Sequence, residues 1–429
     1  MADAASRLRS VAEQVLGVPL PVRLRAWDGS QAGPPDAPTL VVRNRRALRR
    51  ILFRPGELGL ARAWVAGDLD IEGDLYSALA VISGLVWERG EDGRTVLQAL
   101  RDPAVRAAVG ELLKLAGLPV PPAPPREEAR RRSHLHTRRS DKQSISHHYD
   151  VGNDFYELVL GPSMVYSCAY WEDGSTLETA QRDKLELVCA KLGLTPGRRL
   201  LDVGCGWGSM AIHAAREHGV SVVGVTLSQE QAAYARKRVA DEGLTDRVEI
   251  RVQDYRDVRD GPYDAVSSIG MAEHVGAERY LDYAQSLYGL LKPGGRLLNH
   301  QIARRPQRDE STYHVDRFID AYVFPDGELA PIGTTVTQLE RAGFEVRDVE
   351  SIREHYARTL RRWVVNLEAD WPRAMRLTGP GRARVWRLYM AASALAFEHN
   401  RIGVNQVLAV RTPESGASGL PLRTRTWNS

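Results

Sequence analysis

With 429 residues, 43% of them hydrophobic and 26% charged, the chain is long enough for two globular domains and unlike a disordered or fibrous protein. The net charge of +4 is modest, so its distribution says more than its sum. No apolar run reaches the roughly 18 residues of a membrane-spanning helix, and the N-terminus has no hydrophobic signal core. Three cysteines, Cys168, Cys189 and Cys205, show neither C-x-x-C nor metal-ligand spacing. That fits a reducing cytoplasm, and no metal is expected.

The apolar spacing of Leu8, Val11 and Val15 predicts an amphipathic helix over 4–16. β-like segments follow at Thr39–Val42 and Ile51–Phe53. Helices are expected at about 74–84 and 94–115. Residues 1–116 therefore read as a smaller mixed α+β domain for lipid binding or oligomerisation. Residues 117–144 form a linker. It opens on Leu118-Pro-Val-Pro-Pro-Ala-Pro-Pro125, stiff by composition, and continues with Arg126, Arg130, Arg131, Arg132, Arg138, Arg139 and Lys142. Such a basic run is either a solvated connector or a contact for anionic lipid headgroups. It lacks the interleaved aromatics of a single-strand nucleic-acid platform, and no nucleic-acid partner is expected.

From 145 to 429 strands and helices alternate. Strands are expected at 199–203, 221–226, 247–252, 263–268, 295–302, 344–351 and 405–411. Helices are expected at 178–192, 209–218, 229–241, 278–291 and 335–342, with longer helical patterns at 354–376 and 381–398. This order implies an α/β fold with a doubly wound, seven-stranded sheet.

The most informative stretch is Leu200–Gly208, Leu-Leu-Asp-Val-Gly-Cys-Gly-Trp-Gly. A buried strand ends at Asp202, a glycine turn lets the backbone approach a ligand, and a helix starts at Ser209. The third glycine comes one place early for a G-x-G-x-x-G dinucleotide loop, and there is no P-loop Lys-Ser/Thr. The stretch resembles motif I of class I S-adenosylmethionine (SAM) methyltransferases, which implies a Rossmann-like sheet. From the loop alone, a nicotinamide or flavin site and a ligand-free turn stay open. The next strand runs into Thr226, Leu227 and Gln231, of which Thr226 and Gln231 can bond a ribose; Ser228 reads as a helix N-cap. The third strand ends near Asp254 and Tyr255, with Asp254 placed to accept from an adenine amino group.

Two clusters are denser than folding requires. One runs from Ser146 through His147, His148 and Tyr156 to Tyr166, Ser167, Cys168 and Trp171. The other is Ser268–Gly276, with Glu273 and His274 at the carboxyl end of the fourth strand. These strings, the Asp202–Gly208 loop, Gly224–Ser228, Asp254–Asp257, Asn299–Ile302, Phe318–Gly327 and His355–Leu360 together resemble the cyclopropane-fatty-acyl-phospholipid synthase family. The likeness runs in order from about 145 to 411 and extends weakly to Gly56–Leu60 and Gly67–Leu75.

The resemblance implies methyl transfer from SAM to a cis double bond in a phospholipid acyl chain. An alkene is a poor nucleophile, so the donor methyl must be held in line with it in a dry pocket. The resulting cation must then lose a proton. The family is similar in using a bound bicarbonate ion as that base. The matching pocket positions are Cys168, Glu273, His300, Ile302 and Tyr356. The cofactor positions are Tyr166, Ser167, Asp202, Gly204, Gly206, Gly208, Thr226, Leu227, Gln231, Asp254 and Tyr255. Read without the resemblance, Cys168, His300 and Tyr356 are explained as well by core packing, whereas a carboxylate such as Glu273 following an apolar strand needs a partner.

One position departs from the family pattern: Ala272 stands where a phenylalanine is common. That leans the expected product towards a methyl or methylene branch, as in the related actinobacterial fatty-acyl methyltransferases, over a cyclopropane ring. The expected partners are acyl chains of membrane phospholipids at the inner face of the cell membrane, a second copy of the chain, and a reductase for a methylene product. The competing classes are a small-molecule N- or C-methyltransferase and a non-enzymatic lipid-binding module.

Overall fold

α1 (Ala4–Leu16) starts on Asp3, whose side chain accepts from the Ser6 amide, and stops at Gly17 in the left-handed conformation. It buries Leu8 and Val11, but Val15 is 38% exposed, so the buried stripe ends a turn before the apolar spacing does. β1 (Arg23–Arg25), β2 (Gln31–Ala32), β3 (Thr39–Val42) and β4 (Leu69–Glu72) form a sheet of order β2-β1-β3-β4.

Between β3 and β4 lie α2 (Arg46–Phe53) and α3 (Glu57–Val65). The extended reading of Ile51–Phe53 is thus corrected to the end of a helix. Ala47 and Leu48 recur with Ile51 and Leu52 at helical spacing, and the first pair is buried. Packing of that stripe outweighs the β preference of Ile51 and Phe53. α4 (Leu75–Glu91) and α5 (Pro103–Ala116) follow.

This computed structural model describes residues 3–91, 103–117, 120–129, 151–310, 313–325, 327–423 and 425. The first part of the helix expected over 94–115 falls outside them. So do most of the 117–144 linker, including its arginines from Arg130 onward, and His147 and His148. The described residues fall into two compact units, one within 1–131, 316–323 and 378–395, the other within 132–315, 324–377 and 396–429. The first unit is therefore drawn from three stretches of chain. Its core includes Leu8, Val22, Leu24, Val42, Leu48 and Leu69.

In the second unit α6 (Asn153–Leu160) and α7 (Leu177–Leu192) lead into β5 (Arg199–Val203), α8 (Ser209–His218), β6 (Ser221–Thr226), α9 (Gln229–Asp241), β7 (Val248–Val252) and β8 (Tyr263–Ile269). α10 (Tyr280–Leu290), β9 (Leu291–Arg304), α12 (Ile332–Arg341), β10 (Glu345–Ser351), α13 (Arg353–Ala369), α14 (Trp371–Thr378) and β11 (Ile402–Val410) complete it. α11 (Arg317–Tyr322) and most of α15 (Pro380–Glu398) belong to the first unit.

The long helix expected over 354–376 is two helices. Asp370 leaves helical geometry (φ −132°) and its side chain accepts from the Arg373 amide. Pro372, which has no N–H, suits the start of the new helix.

The seven-stranded sheet has the order β10-β11-β9-β8-β5-β6-β7. β5 pairs in parallel with both β6 and β8, and β8 with β9; β11 runs antiparallel to β9 and β10. The doubly wound α/β class read from the strand order is the one observed. Separate apolar clusters cover the two faces, one with α7, α8 and α9, the other with α10 and α12. The winding reverses between β5 and β8, so their carboxyl ends frame a crevice, the usual ligand position in such sheets.

Candidate active site

At the end of β5 the backbone turns sharply. Gly204 and Cys205 both donate their amides to Val225 O, at 2.9 and 3.0 Å. Gly204 and Gly206 take positive φ and line the crevice. Gly208 does not line it. A Cβ there would stand 3.1 Å from Ala235 Cβ of α9, so the third glycine serves close helix packing. Of the other expected cofactor residues, Tyr166, Ser167, Asp202, Thr226 and Leu227 all line the crevice, as do Gln231, Asp254 and Tyr255. The structure thus gathers ten of the eleven positions around one cleft.

Their polar atoms are partly committed. Thr226 Oγ1 donates to Gln231 Oε1 at 2.9 Å, and Ser228 caps α9 by accepting from the Gln231 amide. Asp254 is paired with Arg256, 2.6 Å from its guanidinium. Asp202 Oδ1 accepts from Ser267 Oγ at 2.7 Å, but its buried Oδ2 has no hydrogen-bond partner among the described residues. Burial pushes this carboxyl up to about 6.

Sequence reasoning missed Lys184. It sits on α7, 1% exposed, lines the same crevice, and donates to Ser167 Oγ at 3.0 Å. Burial lowers its pKa to about 8. The available signal was its phase: Lys184 shares the helix face of Leu185, Val188 and Leu192, which a solvated lysine would not.

A second group lies beside the cleft. Glu273, in the 3-10 turn Ala272–His274 after β8, accepts from the Ile302 amide through Oε1 at 2.8 Å. Its Oε2 is shut off from solvent and has no hydrogen-bond partner among the described residues. Desolvation raises the carboxyl to about 7. His300 is 2% exposed; Nδ1 lies 3.3 Å from Gln406 Nε2, and the buried Nε2 has no hydrogen-bond partner among the described residues. Burial, with Lys184 and Lys191 nearby, holds this imidazole well below its usual range and therefore neutral. An amide N–H facing Nδ1 makes that atom the acceptor and leaves the proton on Nε2.

Cys168 is fully buried, its Sγ 3.2 Å from Ala169 O and 3.7 Å from Ile352 O; burial pushes the thiol up, away from a nucleophilic thiolate. Ile352 in turn donates to Val404 O, and Val404 and Gln406 are the β11 register partners of Ile302 and His300. Cys168, Ile302, Glu273 and His300 are therefore joined through one short network. Tyr356 enters a turn of α13 after Ile352, buried with its ring against Phe397 (4.7 Å) and Trp363 (6.0 Å). His274 lines the cofactor crevice, as its place after β8 implied. Ala272 is 4% exposed and packs in the core on the α10 side; with Glu273, Tyr280, Ile302 and Glu328 it lines a separate small cavity.

Residues 136–407 match the profile of the mycolic acid cyclopropane synthetase family, well over half of the chain. The chain belongs to that family. Relatives of this mycolic acid cyclopropane synthetase homologue include a probable fatty acid methyltransferase of Mycobacterium tuberculosis, 45% identical over 94% of both chains. Cyclopropane-fatty-acyl-phospholipid synthase of Escherichia coli is 40% identical over 63% of this chain and 68% of its own. A solved mycolic acid cyclopropane synthase complexed with SAH and CTAB superposes with a TM-score of 0.60 at 34% identity, covering 63% of this chain and 98% of that one. Membership makes the chain a SAM-dependent enzyme of the lipid methyltransferase and cyclopropane synthase type. Among the described residues no helix is long and apolar enough to cross a membrane.

Proposed function

We propose that this enzyme methylates carbon at the cis double bond of unsaturated acyl chains in membrane phospholipids and yields a methyl- or methylene-branched chain. The observation that carries this reading is that two buried polar atoms beside the cofactor cleft, Glu273 Oε2 and His300 Nε2, have no hydrogen-bond partner among the described residues. One offers an acceptor and the other an N–H. Buried polar atoms are rarely left unsatisfied, and an orphaned pair of opposite kinds fits a small ligand that carries both an O–H and acceptor oxygens.

Bicarbonate is such a ligand, and when bound it supplies the base that takes the proton from the methylated chain. Glu273 would accept from its O–H while held by the Ile302 amide; His300 would donate to an oxygen while held by Gln406. Cys168 and Tyr356, both buried, would help to close the site against water. For the methyl donor, the amino-acid end of SAM needs a cation for its carboxylate and an acceptor for its ammonium. Lys184 and Asp202, which both line the cleft, would supply them. Gly204 and Gly206 allow the close backbone approach.

Two facts favour branching over ring closure from the same intermediate: the small Ala272 beside Glu273, and the near full-length match to a relative named as a fatty acid methyltransferase. The reading includes peripheral attachment to anionic lipid through the arginine-rich segment, at the inner face of the cell membrane, and a reductase partner for a methylene product. The test is mass spectrometry of phospholipid fatty acids after expression in a host containing oleate. The expected result is a gain of one CH2 for a methylene or unsaturated branched chain, or of CH2 plus two hydrogens where a reductase has saturated it, with the branch located by fragmentation. A ring at the former double bond would favour the second reading, and unchanged fatty acids would exclude both.

A further inference from the structure

Away from the cleft, α7 and α8 bring four ligand-type side chains together. Glu186 and Cys189, three residues apart on α7, share a helix face. His213 and His218 come from α8. Cys189 Sγ and one ring nitrogen from each histidine lie within 4.8 Å of one another. A single oxygen, Glu186 Oε2, meets both rings, 3.2 Å from His213 Nε2 and 3.0 Å from His218 Nε2. Cys189 and His213 are buried, while the side chains of His218 and Glu186 are 18% and 51% exposed, so the cluster opens to solvent on one side.

We propose that Cys189, His213 and His218, with Glu186 as the fourth ligand, form a binding site for a zinc-type divalent ion. Metal–ligand bonds of about 2.0–2.3 Å place the ligand atoms of a tetrahedral site roughly 3.3–3.8 Å apart. Both contacts of Glu186, at 3.2 and 3.0 Å, are slightly shorter than that spacing, and side-chain rotation would have to open them a little while drawing in the atoms that lie within 4.8 Å. A thiol with two imidazoles is a borderline-soft donor set, which excludes magnesium and calcium as preferred ions. Hydrogen bonding alone accounts for the glutamate meeting two histidines. It does not account for a thiol placed against the same two rings. On binding, the thiol proton leaves to solvent and a metal–sulfur bond replaces S–H, with no change of oxidation state. The ion would tie α7, which carries Lys184 to the cleft, to α8, which begins at the glycine turn. None of the four residues lines the cleft, so this site stands or falls independently of the methyl-transfer reading.

The experiment uses tag-free, full-length protein stripped with chelator. Titrated with Zn2+, it should bind about one equivalent per chain and melt at a higher temperature. Loaded with Co2+, it should show a sulfur-to-cobalt charge-transfer band and the visible bands of tetrahedral cobalt. Cys189→Ser should abolish the charge-transfer band. Glu186→Gln should keep that band while weakening affinity roughly 10- to 100-fold. Circular dichroism of each apo variant separates loss of a ligand from loss of the fold. Absence of the charge-transfer band in the wild type, or Zn2+ stoichiometry unchanged in both Cys189→Ser and His213→Asn, overturns the proposal.

Discussion

Replacing Glu273 by glutamine separates a functional carboxylate from a structural one, because the two predict opposite changes in stability. The wild-type carboxyl is raised from 4.5 to about 7 by burial. A group whose folded pKa is raised stabilises the fold while protonated, and that contribution is lost as pH rises from the unfolded value through the folded one. The linkage integral between pH 5 and pH 8 is about 2.5 kcal/mol of stability lost. Glutamine keeps the acceptor for the Ile302 amide but cannot ionise. Its N–H at the place of Oε2 has no partner, a roughly constant cost of about 1–3 kcal/mol. The variant should therefore be less stable than wild type near pH 5 and should gain on it by about 2.5 kcal/mol by pH 8, measured by urea unfolding.

Turnover should move the other way. A donor would face the O–H that Oε2 is proposed to accept, and the loss of one such aimed contact costs on the order of 10²–10³ in kcat. Because Glu273 lies outside the cleft lining, SAH affinity by calorimetry should change less than about threefold. A stability difference independent of pH, or near wild-type methyl transfer to unsaturated phospholipid vesicles, refutes the reasoning.

Lys184→Met should weaken SAH binding by roughly 10- to 100-fold, the worth of a buried charge-assisted bond, while leaving methylthioadenosine, which lacks the carboxylate, unaffected. Equal losses for both ligands would assign Lys184 to packing alone. Neutralising Arg130, Arg131 and Arg132 should weaken binding to anionic vesicles, more strongly at low salt, in a sedimentation assay. Unchanged binding would leave that segment as a connector.

The parallel part of the sheet was legible because its strands are short apolar runs, Leu200–Val203 and Val222–Val225 among them, bounded by glycines and separated by helical periods. The cofactor cleft was legible for the same reason, since a crevice forms wherever such a sheet reverses its winding. Helix α2 was misread at Ile51–Phe53 because three apolar residues carry little periodicity of their own; only the stripe begun at Ala47 and Leu48 settles it. Lys184 was overlooked because lysine reads as surface until its neighbours on the helix are known to be buried. The Cys189–His213–His218 cluster has no signature in linear spacing, since its ligands meet only across two packed helices. Gly208, also expected at the cofactor, lies outside the cleft lining; its φ of 81° and the 3.1 Å at which a Cβ would meet Ala235 both call for glycine there.

The pairing of β11 with β9 has a consequence in time. Gln406, which sets the tautomer of His300, and Val404, which anchors Ile352 beside Cys168, both lie on a strand inserted between β9 and β10. During synthesis the glycine loop and Lys184 emerge long before residues 402–410. The residues of the cleft are therefore made before the strand that positions the proposed deprotonation site. β11 is the last strand of the sheet in sequence, so the proposed site is complete only once the whole sheet has been made.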